Sequence, residues 1–162
     1  MLGLGNGNGD GLTPSGGSLR KVVWYKTDFS SGTTEGWSSN VAESVSYGNF
    51  PETGEPSLTV IAAGAGQLFV TLDEDDFQEA FPSGDVTMGY SYKLYSTNEL
   101  SSSTVATESS EGRDVAVEAQ TPTIVSSAIA DNSVTSLAIN FYPASGNVGR
   151  AHVTDIEFYY YV

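Results

Sequence analysis

The sequence predicts an all-β fold, a two-sheet antiparallel β-sandwich of the jelly-roll, Greek-key type. Three observations carry this expectation. Tyr (9), Phe (7), valine and threonine are plentiful, while lysine and arginine together number 6. Strands favour β-branched and aromatic residues, whereas helices favour Lys, Arg, Glu, Leu and Ala. The 18 glycines lie among Ser, Asn and Asp and supply many turns. Several segments alternate apolar and polar residues with a period of two, and none carries an apolar stripe at helical spacing. A chain of 162 residues fits one domain, and a domain of that size buries roughly 68–70% of its unfolded surface.

Residues 1–19, MLGLGNGNGDGLTPSGGSL, form an N-terminal arm with Leu2, Leu4 and Leu12 as apolar pegs, and residues 20–162 form the sandwich. Two readings of the arm stand side by side: a disordered tail, or an assembly arm that becomes ordered against a neighbouring subunit. The first strand is expected over residues 22–26. Residues 27–40 follow as an irregular segment punctuated by Gly32 and Gly36. A second strand over 41–47 ends in GNFPETGEP. Residues 57–63 and 67–72 flank a short Gly-Ala-Gly turn and are expected to form a hairpin. The acidic run at 73–76 leads into QEAFPSGD, with one short helical turn expected in this stretch.

Residues 88–95 alternate cleanly, placing Met88, Tyr90, Tyr92 and Leu94 on one face and Gly89, Ser91, Lys93 and Tyr95 on the other. The polar stretch 98–112 reads as a long loop. Strands over 115–119 and 123–128 come next, then 135–142 with Leu137, Ile139 and Phe141 inward. The last strand spans 150–161, with Ile156, Phe158 and Tyr160 on one face. Long loops between such strands favour a jelly roll over a meander. Met88, Tyr90, Tyr92, Leu94, Leu137, Ile139, Phe141, Ile156 and Phe158 are the expected core.

The net charge of −14 arises from 20 acidic and 6 basic residues. Such a field repels phosphate backbones and anionic lipid, so neither nucleic acid nor a membrane is an expected partner. With no cysteine there are no disulfides, thiolate metal sites or cysteine nucleophiles. The single histidine, His152, rules out a histidine-built metal site and would have to serve any Ser–His–Asp triad. No GxGxxG or P-loop spacing occurs. Catalysis is therefore not expected. The acidic run at 73–76 lacks the spacing of a calcium loop and reads as a solvated turn. The first basic residue is Arg20, no apolar run suits a signal peptide or a transmembrane span, and the chain begins at Met1. These features suggest a product made in a host cytoplasm without an export signal.

Two segments resemble known families. TDFSSGTTEGWSSN (27–40) resembles the opening of jelly-roll carbohydrate-binding modules, through Asp28, Phe29, Gly32, Gly36 and Trp37. HVTDIEFYY, with Asp155, Ile156 and Phe158, resembles their closing strand. The resemblance implies that Trp37 plugs the sandwich core. It also implies a structural calcium, for which Asp28 and Asp155 would be remnant ligands. Ser30 and Thr154 stand where these modules often carry acidic partners. No other cofactor is implied. The start MLGLGNG with its Gly/Ser arm resembles short bacteriophage virion proteins, especially those of marine cyanobacteria.

Together the two resemblances imply a non-catalytic virion component, decorating a capsid or forming part of a tail. Other virion proteins, copies of itself and a surface glycan would be its partners, and the virion its location. The alternative is a carbohydrate-binding module of a glycan-active enzyme system. Trp24, Tyr95, Tyr142, Tyr159 and Tyr161 are the candidate outward aromatics. Such rings serve sugar stacking or a protein interface, and the missing export signal favours the interface.

Overall fold

In the computed structural model, which describes residues 19–82, 84, 86–131 and 133–162, two antiparallel sheets enclose one core. The larger sheet holds β1 (Lys21–Thr27), β2 (Ala42–Asn49), β3 (Pro56–Ala62), β5 (Val86–Ser96), β8 (Thr123–Asp131) and β10 (Arg150–Tyr161). Its order is β2-β3-β10-β5-β8, with β1 also beside β10. The smaller holds β4 (Leu68–Asp73), β6 (Leu100–Ala106), β7 (Val115–Val117) and β9 (Ser136–Pro143), ordered β4-β9-β6-β7. Among the described residues no helix is long and apolar enough to cross a membrane.

The expected core is the observed one: Met88, Tyr90, Leu94, Leu137, Ile139, Phe141, Ile156 and Phe158 are fully buried, and Tyr92 is 1% exposed. Period-two alternation reads these strands correctly because each has one buried face. Trp37 is buried as well, and its indole N–H donates to the Tyr25 hydroxyl at 3.0 Å. β10 serves two neighbours on one side, pairing with β3 through Arg150–Val153 and with β1 through residues 156–161. A bulge between Thr154 and Glu157 joins the halves, with Asp155 in the left-handed region at φ 51°. The extra residue resets the alternation, so Val153 and Ile156 both face the core.

Two expectations fail, each for a physical reason. Residues 57–63 and 67–72 do not form a hairpin, because β3 and β4 belong to different sheets. The turn between them bonds instead to the β9–β10 connection, through Ala62 N–H to Gly149 O (2.8 Å) and Gly66 N–H to Gly146 O (3.0 Å). The stretch 98–112 is not one loop, since Leu100–Ala106 is the interior strand β6. Its hydroxyls are buried because they are satisfied: Ser103 donates to Asn140 O at 2.8 Å and lies 2.7 Å from the Tyr92 hydroxyl. The helical turn lies on the acidic run itself, as an exposed 3₁₀ turn over Glu74–Asp76. The arm with Leu2, Leu4 and Leu12 lies outside the described residues, apart from Leu19.

Candidate functional site

Of the five outward aromatics expected, Trp24 is a correction: it is buried, only 1% exposed. Tyr25 and Thr27 face the core, so strict alternation would turn Trp24 outward. A register shift between Val23 and Tyr25 breaks the alternation and turns both aromatics inward. Phe77 and Phe81 then close over the Trp24 ring edge-on, at 5.1 and 5.5 Å between centroids.

Tyr95 lies on the outer face of the larger sheet but is committed to packing. Its ring meets Phe50 edge-on at 6.2 Å and His152 at 6.0 Å. The β2–β3 connection carries Phe50 over this face, where Lys93 sits above the Phe50 ring and pairs with Glu55 at 2.7 Å. His152 is buried with Nδ1 3.2 Å from the Thr59 hydroxyl, and burial together with the Arg150 charge lowers its pKa. The one histidine is thus part of this packing. Tyr159 and Tyr161 share the same sheet face, edge to face at 5.7 Å. The Lys21 ammonium lies 3.9 Å from the Tyr159 ring centre and pairs with Glu157.

Tyr142 has a different setting, on the outer face of the smaller sheet. The cross-strand register places Phe69, Asn140 and Thr104 in one row of this face and Tyr142 with Ser102 in the next. Neighbouring strands contribute short side chains, so the half-buried Tyr142 ring has open surface beside it. A short bridge between Ala106 and Glu111, with Gly112 N–H donating to Val105 O at 2.8 Å, folds the β6–β7 connection back along β6. Thr104 secures it by donating to Gly112 O at 2.9 Å. Glu111 is thereby held over the sheet. One of its carboxylate oxygens accepts from the Tyr142 hydroxyl at 2.9 Å and from Asn140 Nδ2 at 3.3 Å. Gln67 Nε2 in turn donates to Asn140 Oδ1 at 3.1 Å.

Ser101, Ser102, Glu111, Asp114 and Tyr142 line a shallow cleft of about 230 Å³ here. Partial burial, then the hydrogen bond and charge of Glu111 and the charge of Asp114, push the Tyr142 hydroxyl up to about 12. It therefore remains a proton donor in neutral and mildly alkaline water. The cleft offers a ring face fixed in orientation, flanked by carboxylate, amide and hydroxyl groups that can both donate and accept. That is the chemistry that holds a hydroxyl-rich ligand.

Sequence reading singled out Tyr142 but not the side chains that the structure gathers around it, Glu111, Asn140, Gln67 and Asp114. Asn140 could have been found, since alternation that turns Leu137, Ile139 and Phe141 inward turns Asn140 and Tyr142 outward together. Glu111 carried no signal, because its position depends on a connection folding back onto β6.

Asp28 and Asp155 flank the Thr27–Ile156 pair at the meeting of β1 and β10. Both are exposed. The Asp28 carboxylate accepts from Ser30 N–H at 2.9 Å, and the Ser30 contacts hold its pKa below the usual carboxylate range. Thr154, in place of a family acid, donates to Pro56 O at 2.8 Å. Among the described residues no three or more His, Cys, Asp or Glu side chains group so as to hold a metal ion.

No family model matches the chain, and no curated protein matches it. Solved structures do. The CBM22-1 xylan-binding domain of Paenibacillus barcinonensis Xyn10C superposes with a TM-score of 0.66 at 13% identity, over 89% of this chain and 97% of that one. CBM27-1 of Caldicellulosiruptor saccharolyticus, in complex with mannohexaose, gives 0.55 at 12% identity, over 86% and 97%. The family 11 carbohydrate-binding module of Clostridium thermocellum, in complex with a β-1,3-1,4-mixed-linked tetrasaccharide, gives 0.51 at 14%, over 85% and 95%. The fold of this chain is therefore the jelly-roll sandwich of carbohydrate-binding modules.

Proposed function

We propose that this protein is a glycan-binding domain whose ligand lies across the outer face of the smaller sheet. The observation that carries the reading is the Tyr142–Glu111–Asn140–Gln67 network. It fixes one aromatic ring among convergent donors and acceptors on an otherwise open face. A pyranose would stack its C–H face on Tyr142, and its hydroxyls would bond to Glu111, Asp114 and Ser102. Phe69, half-buried one row away, gives a second apolar surface for a neighbouring sugar. The solved structures that share the fold support this reading, being a xylan-binding domain and modules holding a mannohexaose and a mixed-linked tetrasaccharide. No catalytic residue is assigned. Such a domain suits a virion surface or a glycan-active enzyme equally well. The virion expectation rests on residues 1–19, nearly all outside the described residues.

The test is titration calorimetry against soluble xylan, mannan and mixed-linked β-glucan, with Tyr142→Ala and Glu111→Gln beside the parent chain. We expect saturable binding to at least one polysaccharide. Tyr142→Ala should weaken it at least tenfold, which corresponds to about 1.4 kcal/mol. Binding that survives Tyr142→Ala, or no binding to any polysaccharide tested, would remove this face as the site.

A further inference from the structure

The larger sheet carries a separate groove that the glycan reading does not use. It encloses about 580 Å³ at the end of the sheet where β1 starts and β10 finishes, between Leu19, Pro82, Val86, Gly89, Ala128 and Tyr161. Along one side β5 carries glycine at position 89, which lets the Tyr159 ring lie close against the sheet and leaves the groove beside it over Ala128 and Val86. A Cβ at position 89 would lie 2.3 Å from a ring carbon. The same corner collects Leu19, Val23, Tyr161 and Val162, four of the seven large hydrophobic residues exposed among the described ones. Clustered exposed apolar groups of this kind mark a surface that another chain covers.

The described chain begins at this groove. Leu19 is 71% exposed and lines it, and Arg20 is fixed beside it by reciprocal backbone bonds to Val162 at 2.8 and 3.0 Å. Eighteen residues precede Leu19, and their sequence suits the groove's chemistry. Leu2 and Leu4 are two apart, so an extended chain turns both to one side. The glycines at 3, 5, 7, 9 and 11 allow close approach to a groove lined by the short side chain of Ala128. Residues 1–18 carry one charge-bearing side chain, Asp10, in a chain of net charge −14. They are therefore the segment that a second copy accepts with least repulsion.

We propose that the groove is the receptor for residues 1–18 of a second copy of this chain, with Leu2 and Leu4 seated beside Tyr161 and Ala128. A reciprocal exchange of this kind closes as a twofold dimer, since each copy gives one arm and one groove.

The experiment uses the full chain, a variant lacking residues 2–18, and Ala128→Arg, which fills the groove from an exposed position. Light scattering on a sizing column should give a dimer for the full chain and about half that mass for each variant, each variant keeping a cooperative melting transition. Mixing the two variants should restore a dimer, because one supplies an arm and the other a groove. Tyr161→Ser is the second groove variant should Ala128→Arg fail to fold. A full-length chain that stays monomeric at every concentration overturns the proposal, and so does an arm-deleted chain that remains dimeric. It is also overturned by a monomer whose groove binds an apolar dye only after the arm is deleted, since the arm would then lie in its own groove.

Discussion

The outer faces of the two sheets are built from similar residues and reach opposite outcomes. Midway along the larger sheet the aromatic is covered: Phe50 and His152 pack on Tyr95, and Lys93 closes over Phe50. On the smaller sheet Tyr142 is tied at its hydroxyl to Glu111, with the short, polar Ser102 beside it across the register. The difference comes from connections more than from strands. The β2–β3 connection lays an apolar plug on one face, and the β6–β7 connection lays a carboxylate on the other. Whether an aromatic on a strand is plugged or framed by polar groups therefore depends on the loop above it.

The largest expected effect lies at Trp24, which alternation sends to the outer face and the bulge sends to the core. Trp24→Ala should cost about 3–5 kcal/mol in chemical denaturation, as a buried aromatic does. A loss under about 1 kcal/mol would mean that the ring is exposed after all. Next comes the pair that defines the contrast. Tyr95→Ala should lower stability by roughly 1–3 kcal/mol and leave glycan titrations unchanged, whereas Tyr142→Ala should do the reverse. If both substitutions weaken binding, the two faces are not functionally distinct.

Asp155 tests the bulge that lets β10 serve two partners. A β-branched residue is strained at φ 51°, so Asp155→Val should cost about 1–2 kcal/mol while Asp155→Gly is tolerated. Equal melting temperatures for the two variants would argue against a left-handed residue there.

A smaller effect depends on pH. The folded-state pKa of His152 lies below its unfolded value, so the unfolded chain binds the extra proton first. Its contribution is complete above about pH 6.5, the unfolded value, and is lost as the pH falls towards the folded one. The melting temperature of the parent chain should therefore fall more between neutral pH and pH 5 than that of His152→Gln. Parallel curves would show that His152 is not desolvated. The least effect belongs to Lys93→Gln, which removes a partly exposed ion pair with Glu55 and should cost under about 1 kcal/mol.

Legibility in the sequence followed the same division. β5, β9 and β10 were readable because each presents alternating residues to one core. β6 was not, since SSST looks like loop and becomes interior strand only when Tyr92, Asn140 O and Gly112 O satisfy its hydroxyls. The supposed hairpin around the Gly-Ala-Gly turn misled because local turn chemistry does not reveal which sheet receives the next strand. At the candidate site, Tyr142 was legible from a strand pattern, and Glu111 was not because a folded-back connection positions it. Trp24 shows the converse limit, where one inserted residue defeats a correct rule.

The mutual bonds between Arg20 and Val162 bring the two ends of the sandwich side by side on the larger sheet, while Tyr142 belongs to the other. Such a layout suits circular permutation. A short linker could join residues 20 and 162, and new termini could open in the exposed turn at 63–65. A permuted or inserted domain would then be held from one side and present the Tyr142 face on the other, like a tile fixed by its back.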